Sequence, residues 1–296
     1  MIRQFMSFAH IWIALGAFVT TCFSWLWASD LFHLDYGDML VAVWVSFSTG
    51  LGYTLQRAIK HTRHPQVMPT MRRIFWDRWK WTMVVGWLSL WIGFNIAFLQ
   101  DLGWDEPHRF TITLGLGLAS LTYAFVPRMN GGLRKIYWLK IPLIAGVWAT
   151  ATTHHPENGI DPILWVQRAL FIAGLTLPFD IRDITIDRPH MTTIPMVTSA
   201  KRALTLSRYL LAAAGAIGFL VWICRCIQCG FKPHHAIPLV LSAQCLWAHW
   251  ILRPDRALAA LQNEESVRET FTGWRLDGVL VAPLLFVASA CLALLL

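Results

Sequence analysis

Long apolar runs bounded by charged clusters dominate the chain. Nine such runs are legible, at 5–28, 37–57, 81–100, 109–127, 137–155, 160–179, 203–227, 234–252 and 276–296. Each is close to the ~20 residues that carry a helix across the hydrocarbon core. In lipid every backbone N–H and C=O must be satisfied within its own segment, so runs of this length predict helices. The pattern therefore predicts an all-α, polytopic membrane protein of nine transmembrane helices. No internal repeat, low-complexity tract or linker divides it, which predicts a single domain over 1–296. The fifth, sixth and eighth runs are interrupted by Lys140, Arg168 and His249. An arginine within a span faces the bundle interior, and Arg168 is expected to pair there with polar groups such as Asn95 or Gln244.

Composition sharpens this reading. Of 296 residues, 56% are hydrophobic and only 14% charged, and the mean hydropathy is +0.48. Soluble domains carry about 25% charged residues. The shortage of charge excludes a soluble enzyme, a disordered chain and a secreted disulfide module. The single Arg3 before the first run, the run's length and the lack of a small-residue cleavage site predict an uncleaved first span.

The net charge of +8 raises the question of a nucleic-acid partner, and its distribution answers it. Of the 25 basic residues, all but Arg109, Arg168, Arg225 and Lys232 fall before the first run or in alternate connections and the run ends beside them. The intervening connections hold acids such as Asp35, Asp38, Asp101, Asp105 and Asp161. The positive-inside bias then predicts an integral membrane protein of the bacterial inner-membrane kind, N-terminus cytoplasmic and C-terminus outside. It accounts for the basic charge with no nucleic acid involved.

The most informative polar stretch is FDIRDITIDRPHMTTIP, residues 179–195. Asp180, Asp183 and Asp187 stand at i, i+3 and i+7, within a ~60° sector of a helix at about 100° per residue. Three carboxylates on one stripe repel each other and are costly near a membrane unless a cation sits among them. Hard oxygen ligands beside a basic surface suit Mg²⁺ holding a phosphate-bearing substrate. The alternative is a solvated loop whose acids pair with Arg182 and Arg188.

These residues resemble the second aspartate-rich motif of the UbiA-type intramembrane prenyltransferases, roughly D-x-x-D-x-x-x-D followed by T-[LI]-P. Asp180, Asp183 and Asp187 match the acids, and Thr193, Ile194 and Pro195 match the tail. A second segment, YAFVPRMNGGLRKIYWLK at 123–140, is similar to the family's stretch after helix four, with Tyr123, Pro127, Arg128, Leu133 and Lys140 in the usual places. The resemblance implies a nine-helix bundle with a cytoplasm-facing cavity. There an isoprenyl diphosphate would be held through Mg²⁺ on the three aspartates, with Tyr53, Arg57, Lys60, Tyr123, Arg128, Lys140 and Arg182 around it. The isoprenyl group would pass to an acceptor that the sequence does not identify.

The family's first motif, roughly N-D-x-x-D-x-x-x-D, is missing. Its position reads GYTLQRAIK, residues 52–60, with Tyr53, Gln56 and Lys60 where acids are expected. The usual glycine between the last aspartate and the T-[LI]-P tail is also absent. One metal site is thereby lost. Arg57 and Lys60 are expected either to contact phosphate oxygens in its place or to mark topology alone. The resemblance therefore leaves three readings open: a prenyltransferase with an altered first site, a terpene cyclase on the same scaffold, or a non-catalytic isoprenoid-binding membrane protein.

Other chemistry-bearing residues have plainer expectations. His61 and His64 form H-x-x-H, while the pairs His154/His155 and His234/His235 fall on the opposite side, about 30 Å away, too far for one diiron centre. Cys224, Cys226 and Cys229 near the outer end of the seventh run are expected to be thiols, with a disulfide or a metal site completed by His234 as alternatives. Trp76, Trp79 and Trp81 are expected at the headgroup level.

Overall fold

A computed structural model describes residues 2–28, 34–63, 65, 68–102, 115, 137–155, 159–188 and 192–295. Among these residues the chain is helical, with no strand. The elements are α1 (Ile2–Phe8), α2 (Ile11–Ala28), α3 (Tyr36–Arg63), α4 (Thr70–Leu102), α5 (Lys140–Thr153), α6 (Pro162–Arg182) and the short α7 (Ile184–Asp187) and α8 (Ile194–Val197). They continue with α9 (Ala200–Cys229), α10 (Ile237–Ile251) and α11 (Pro254–Leu261). A last rod joins α12 (Glu265–Thr270), a π-helical segment (Phe271–Leu276), a 3-10 turn (Val279–Val281) and α13 (Ala282–Leu295).

Among the described residues four helical stretches are long and apolar enough to cross a membrane: Ile11–Ala28, Pro162–Arg182, Ala200–Cys229 and Glu265–Ser289. The runs at 37–57 and 81–100 lie within α3 and α4, and the run at 109–127 falls almost wholly outside the described residues. Apolar side chains also cover outward faces. Val85, Leu90 and Ile96 on α4 and Phe219, Leu220 and Ile227 on α9 are exposed, as a lipid solvent favours.

Two expected boundaries are corrected. The first apolar run is not continuous: it breaks at His10, whose φ of 61° is left-handed. A histidine tolerates this region better than most residues, and neighbouring helices satisfy the break. His10 Nδ1 lies 3.0 Å from Thr54 Oγ1 on α3, and Trp87 Nε1 on α4 donates to the Ala9 carbonyl at 2.9 Å. The last helix starts at Glu265 rather than near 276, because its polar first turns find protein partners. Glu265 accepts the Thr70 and Met71 amides at 3.0 and 2.6 Å, capping α4 from a distant part of the chain.

Packing around α6 follows from small residues and one proline. Pro178 carries no N–H, so the Gly174 carbonyl one turn earlier loses its helical partner. Ser207 Oγ on α9 donates to that carbonyl at 2.5 Å. The approach requires glycine, since a Cβ at position 174 would stand 2.7 Å from Leu211. The same device joins α9 to α10, where Ser242 Oγ donates to the Gly215 carbonyl at 2.7 Å. At its start α6 is capped by Asp161, which accepts the Ile163 and Leu164 amides at 2.8 and 3.1 Å ahead of Pro162.

Arg168 is fully buried midway along α6. Its guanidinium donates to Ser24 Oγ at 2.9 Å, and to Gln244 Oε1 and the Thr20 carbonyl at 3.4 Å. Gln244 is thus a partner as expected and Asn95 is not: the Asn95 amide bonds Trp44 and the Trp91 carbonyl on the α3–α4 side.

Candidate functional site

A cavity of about 220 Å³ opens where the basic ends of α3, α5 and α6 meet the start of α4 and the last rod. Six of the ten residues expected from the sequence line it: Tyr53, Arg57, Lys140, Asp180, Arg182 and Asp183. They come from segments up to 130 positions apart, Tyr53 to Asp183, and the bundle brings them to one place. Lys60 and Asp187 stand nearby without lining the cavity, and Tyr123 and Arg128 lie outside the described residues. Away from the charged groups the wall is apolar, with Ile144, Trp148, Ile172, Leu175 and Leu280.

The acids are held by fixed cations. Lys140 Nζ stands 2.5 Å from Asp180 Oδ1 and 3.7 Å from Asp187 Oδ2, so one ammonium lies between two of the three aspartates. Arg182 grips both oxygens of Asp183, Nε to Oδ1 at 2.7 Å and Nη2 to Oδ2 at 2.8 Å. That parallel fork is the strong form of an arginine–carboxylate contact. Arg182 Nη1 also donates to Thr272 Oγ1 at 3.0 Å, within the π-helical segment, and Arg72 Nη2 lies 2.5 Å from Glu269 Oε2. Burial raises the Asp183 carboxyl, but Arg182, followed by Arg72 and Lys60, outweighs it and holds the group below the usual carboxylate range.

Two groups of opposite sign are left over. Arg57 lines the cavity and makes no hydrogen bond or ion pair among the described residues, and Lys60, one turn on, makes none either. Asp277, on the rod across from them, lines the cavity equally without a hydrogen bond or ion pair among those residues. Lys60 is pushed down to about 8, first by burial and then by Arg57, against the opposing pull of Asp183 and Asp187.

The Mg²⁺ expectation meets this donor set unfavourably. Among the described residues no three His, Cys, Asp or Glu side chains form a group able to hold a metal ion. Asp183 spends both oxygens on Arg182, and an ion at Asp180 and Asp187 requires Lys140 to withdraw from both. The three aspartates thus follow, in part, the ion-paired alternative: Arg182 takes one of them, and Lys140 rather than Arg188 takes the others.

Several residues of the cavity went unread in the sequence. His10, Arg72, Trp76 and Asp277 all line it, and Glu269 anchors Arg72 beside it. A signal existed for two of them, because His10 and Asp277 are ionisable groups inside apolar runs, where such groups are rare without a role. Trp76 is corrected from a headgroup anchor to a buried wall at 1% exposure, its ring 5.7 Å from that of His10. Trp79 and Trp81 are exposed, each beside a basic side chain, Arg78 and Lys80.

The histidine and cysteine motifs form no common site among the described residues. His61 pairs with Asp77 at 2.8 Å at one end of α3, and His155 with Asp38 at 3.0 Å at the other. Cys224, Cys226 and Cys229 are free thiols at the end of α9.

Fold and site together define an all-helical bundle of membrane type with a charged, half-apolar cavity at its basic end. Compared with family models, curated proteins and solved structures, the chain finds no match.

Proposed function

We propose that this chain is a nine-span intramembrane protein that binds an isoprenyl diphosphate in the basic-end cavity and transfers the isoprenyl group to an acceptor. The N-terminus and the cavity mouth face the cytoplasm. One observation carries the reading: Arg57 is a guanidinium without a partner among the described residues, in a cavity whose farther wall is apolar. A half-buried cation without an ion-paired or hydrogen-bonded anion is costly, and an anionic head with an apolar tail relieves that cost while burying the tail. The local likeness of residues 123–140 and 179–195 to UbiA-type prenyltransferases supplies the isoprenyl class.

In the transfer, the allylic C–O bond breaks, its electron pair leaving with the diphosphate oxygen. The carbocation alkylates the acceptor, which releases a proton. Products are the prenylated acceptor, diphosphate and one proton. Arg57, with Lys60 nearby, stabilises the charge that develops on the leaving diphosphate. Tyr53, Trp148 and Phe179 present aromatic rings to the cavity where the cation forms.

A second reading, binding of an isoprenoid lipid without catalysis, is favoured by the engagement of all three aspartates in ion pairs. Diphosphate release separates the two. The full chain in lipid nanodiscs is incubated with geranyl, farnesyl and geranylgeranyl diphosphate, with and without Mg²⁺ and with a total membrane-lipid extract as acceptor source. Release above a no-protein control, with a prenylated product by mass, supports transfer. Binding without release leaves the lipid-binding reading, and absence of both overturns the isoprenyl assignment.

A further inference from the structure

Mg²⁺ is the cation that three clustered aspartates ordinarily invite, yet the cations around these aspartates belong to the chain itself. We infer that the cavity takes its diphosphate without a divalent ion, the Lys140 ammonium standing between Asp180 and Asp187 where an ion would sit. The inference rests on the isoprenyl-diphosphate reading and concerns what neutralises the site.

Three features of the geometry carry it. Lys140 reaches Asp180 at 2.5 Å and Asp187 at 3.7 Å from the first turn of α5, so its position is set by a helix start rather than by a long loop. Asp183, the middle acid of the motif, is closed to any further ligand by the two-point grip of Arg182, which Thr272 holds from the opposite side. On α3, where the family pattern places acids for the other ion, the chain carries Tyr53, Gln56 and Lys60, with Arg57 between them. A divalent ion here meets Arg57 and Lys60, which form no ion pair among the described residues, while Asp180, Asp183 and Asp187 are already paired and Asp277 is the one carboxylate of the cavity left without a pair. The diphosphate instead meets Arg57, with Lys60 nearby, and neither forms an ion pair among the described residues. Lys140 thus acts as a positioning residue: it keeps Asp180 and Asp187 from repelling the anion.

The test uses the full chain in nanodiscs and the non-hydrolysable probe farnesyl thiodiphosphate. Its affinity is measured in millimolar Mg²⁺ and in excess chelator, for the parent chain and for Lys140→Met. For the parent, the two affinities agree within about threefold. Lys140→Met exposes two unneutralised carboxylates. Its affinity in chelator falls by about tenfold, and Mg²⁺ restores it. A parent that loses the probe in chelator overturns the inference. A second measurement is independent of the lipid: titration of Mg²⁺ alone. Here Lys140→Met gains a saturable site that Asp180→Asn/Asp187→Asn removes, and the parent shows none. A saturable site in the parent, lost in the Asp180→Asn/Asp187→Asn variant, overturns the inference and leaves the isoprenyl reading standing. A parent that binds no probe in either buffer, though folded, overturns the isoprenyl reading and the inference with it.

Discussion

Two arginines, one fully buried in the middle of the bundle and one half-buried at its basic end, make opposite use of the same side chain. Neither has a carboxylate partner among the described residues. Arg168 spends each guanidinium nitrogen on a neutral acceptor, Ser24 Oγ, Gln244 Oε1 and the Thr20 carbonyl, and it does not line the cavity. Arg57 has no acceptor among the described residues and borders open space. The comparison teaches that burial and charge alone do not mark a binding site. A satisfied cation holds helices together, whereas an unsatisfied one at a cavity is a demand for a ligand.

The largest effect expected from this contrast is on stability. Arg168→Ala removes a fully buried side chain and leaves Gln244 Oε1 without its donor, a loss of about 3 kcal/mol or more. A lowered thermal midpoint in detergent, together with poor folded yield, is the readout. Arg57→Met inverts the pattern. Its thermal midpoint stays level or rises, while affinity for farnesyl thiodiphosphate falls by about thirtyfold, the scale of one charged hydrogen bond near 2 kcal/mol. If Arg57→Met unfolds the chain as Arg168→Ala does, the distinction between the two arginines fails.

Smaller effects sharpen the boundary between scaffold and site. Ser207→Ala leaves the Gly174 carbonyl, already without a helical partner because of Pro178, unpaired at the α6–α9 contact. The expected cost is about 1–2 kcal/mol, seen as a lower unfolding midpoint with probe binding unchanged in the folded fraction. Asp277→Asn removes the one carboxylate of the cavity that no cation engages among the described residues. It therefore tightens anion binding by about threefold.

The smallest effect is a pH dependence. Lys60, held at about 8, carries its proton below that value and loses it above. Anion affinity is therefore full below about pH 8 and falls about twofold as pH rises through it, by loss of one nearby charge. Lys60→Met lacks this step near pH 8. Affinity that rises with pH across this range has the opposite sign and removes Lys60 from the anion's surroundings.

The membrane-type helical character of the chain was plain in the sequence, because apolar run length reports directly on the solvent a helix must face. That Arg168 pairs with polar groups inside the bundle was also legible, since a charge inside a span has few to choose from, but the choice of Gln244 over Asn95 was not. The acidic motif could be located but its chemical state could not. Asp180, Asp183 and Asp187 on one stripe are compatible with a metal or with cations from elsewhere, and spacing within one helix says nothing about a lysine forty residues away. His10 and Asp277 were passed over because each is a lone polar residue in an apolar run. Only the convergence of both on Tyr53 and Arg57 turns them into cavity wall. The break at His10 was equally hidden, for the groups that make it tolerable, Thr54 and Trp87, belong to other helices.

By itself the sequence determined the apolar, membrane-type helical class and the alternation of charge along the chain, both of which depend on local composition and on free energies that add along the chain. The tertiary structure alone decided which charges cancel. Lys140 meets Asp180, Arg182 clasps Asp183, Arg72 finds Glu269, and Arg57 is left facing open space. Pairing of this kind falls off steeply with distance in a low-dielectric interior, so it is set by ångström-scale placement of remote segments that no pattern along one dimension records.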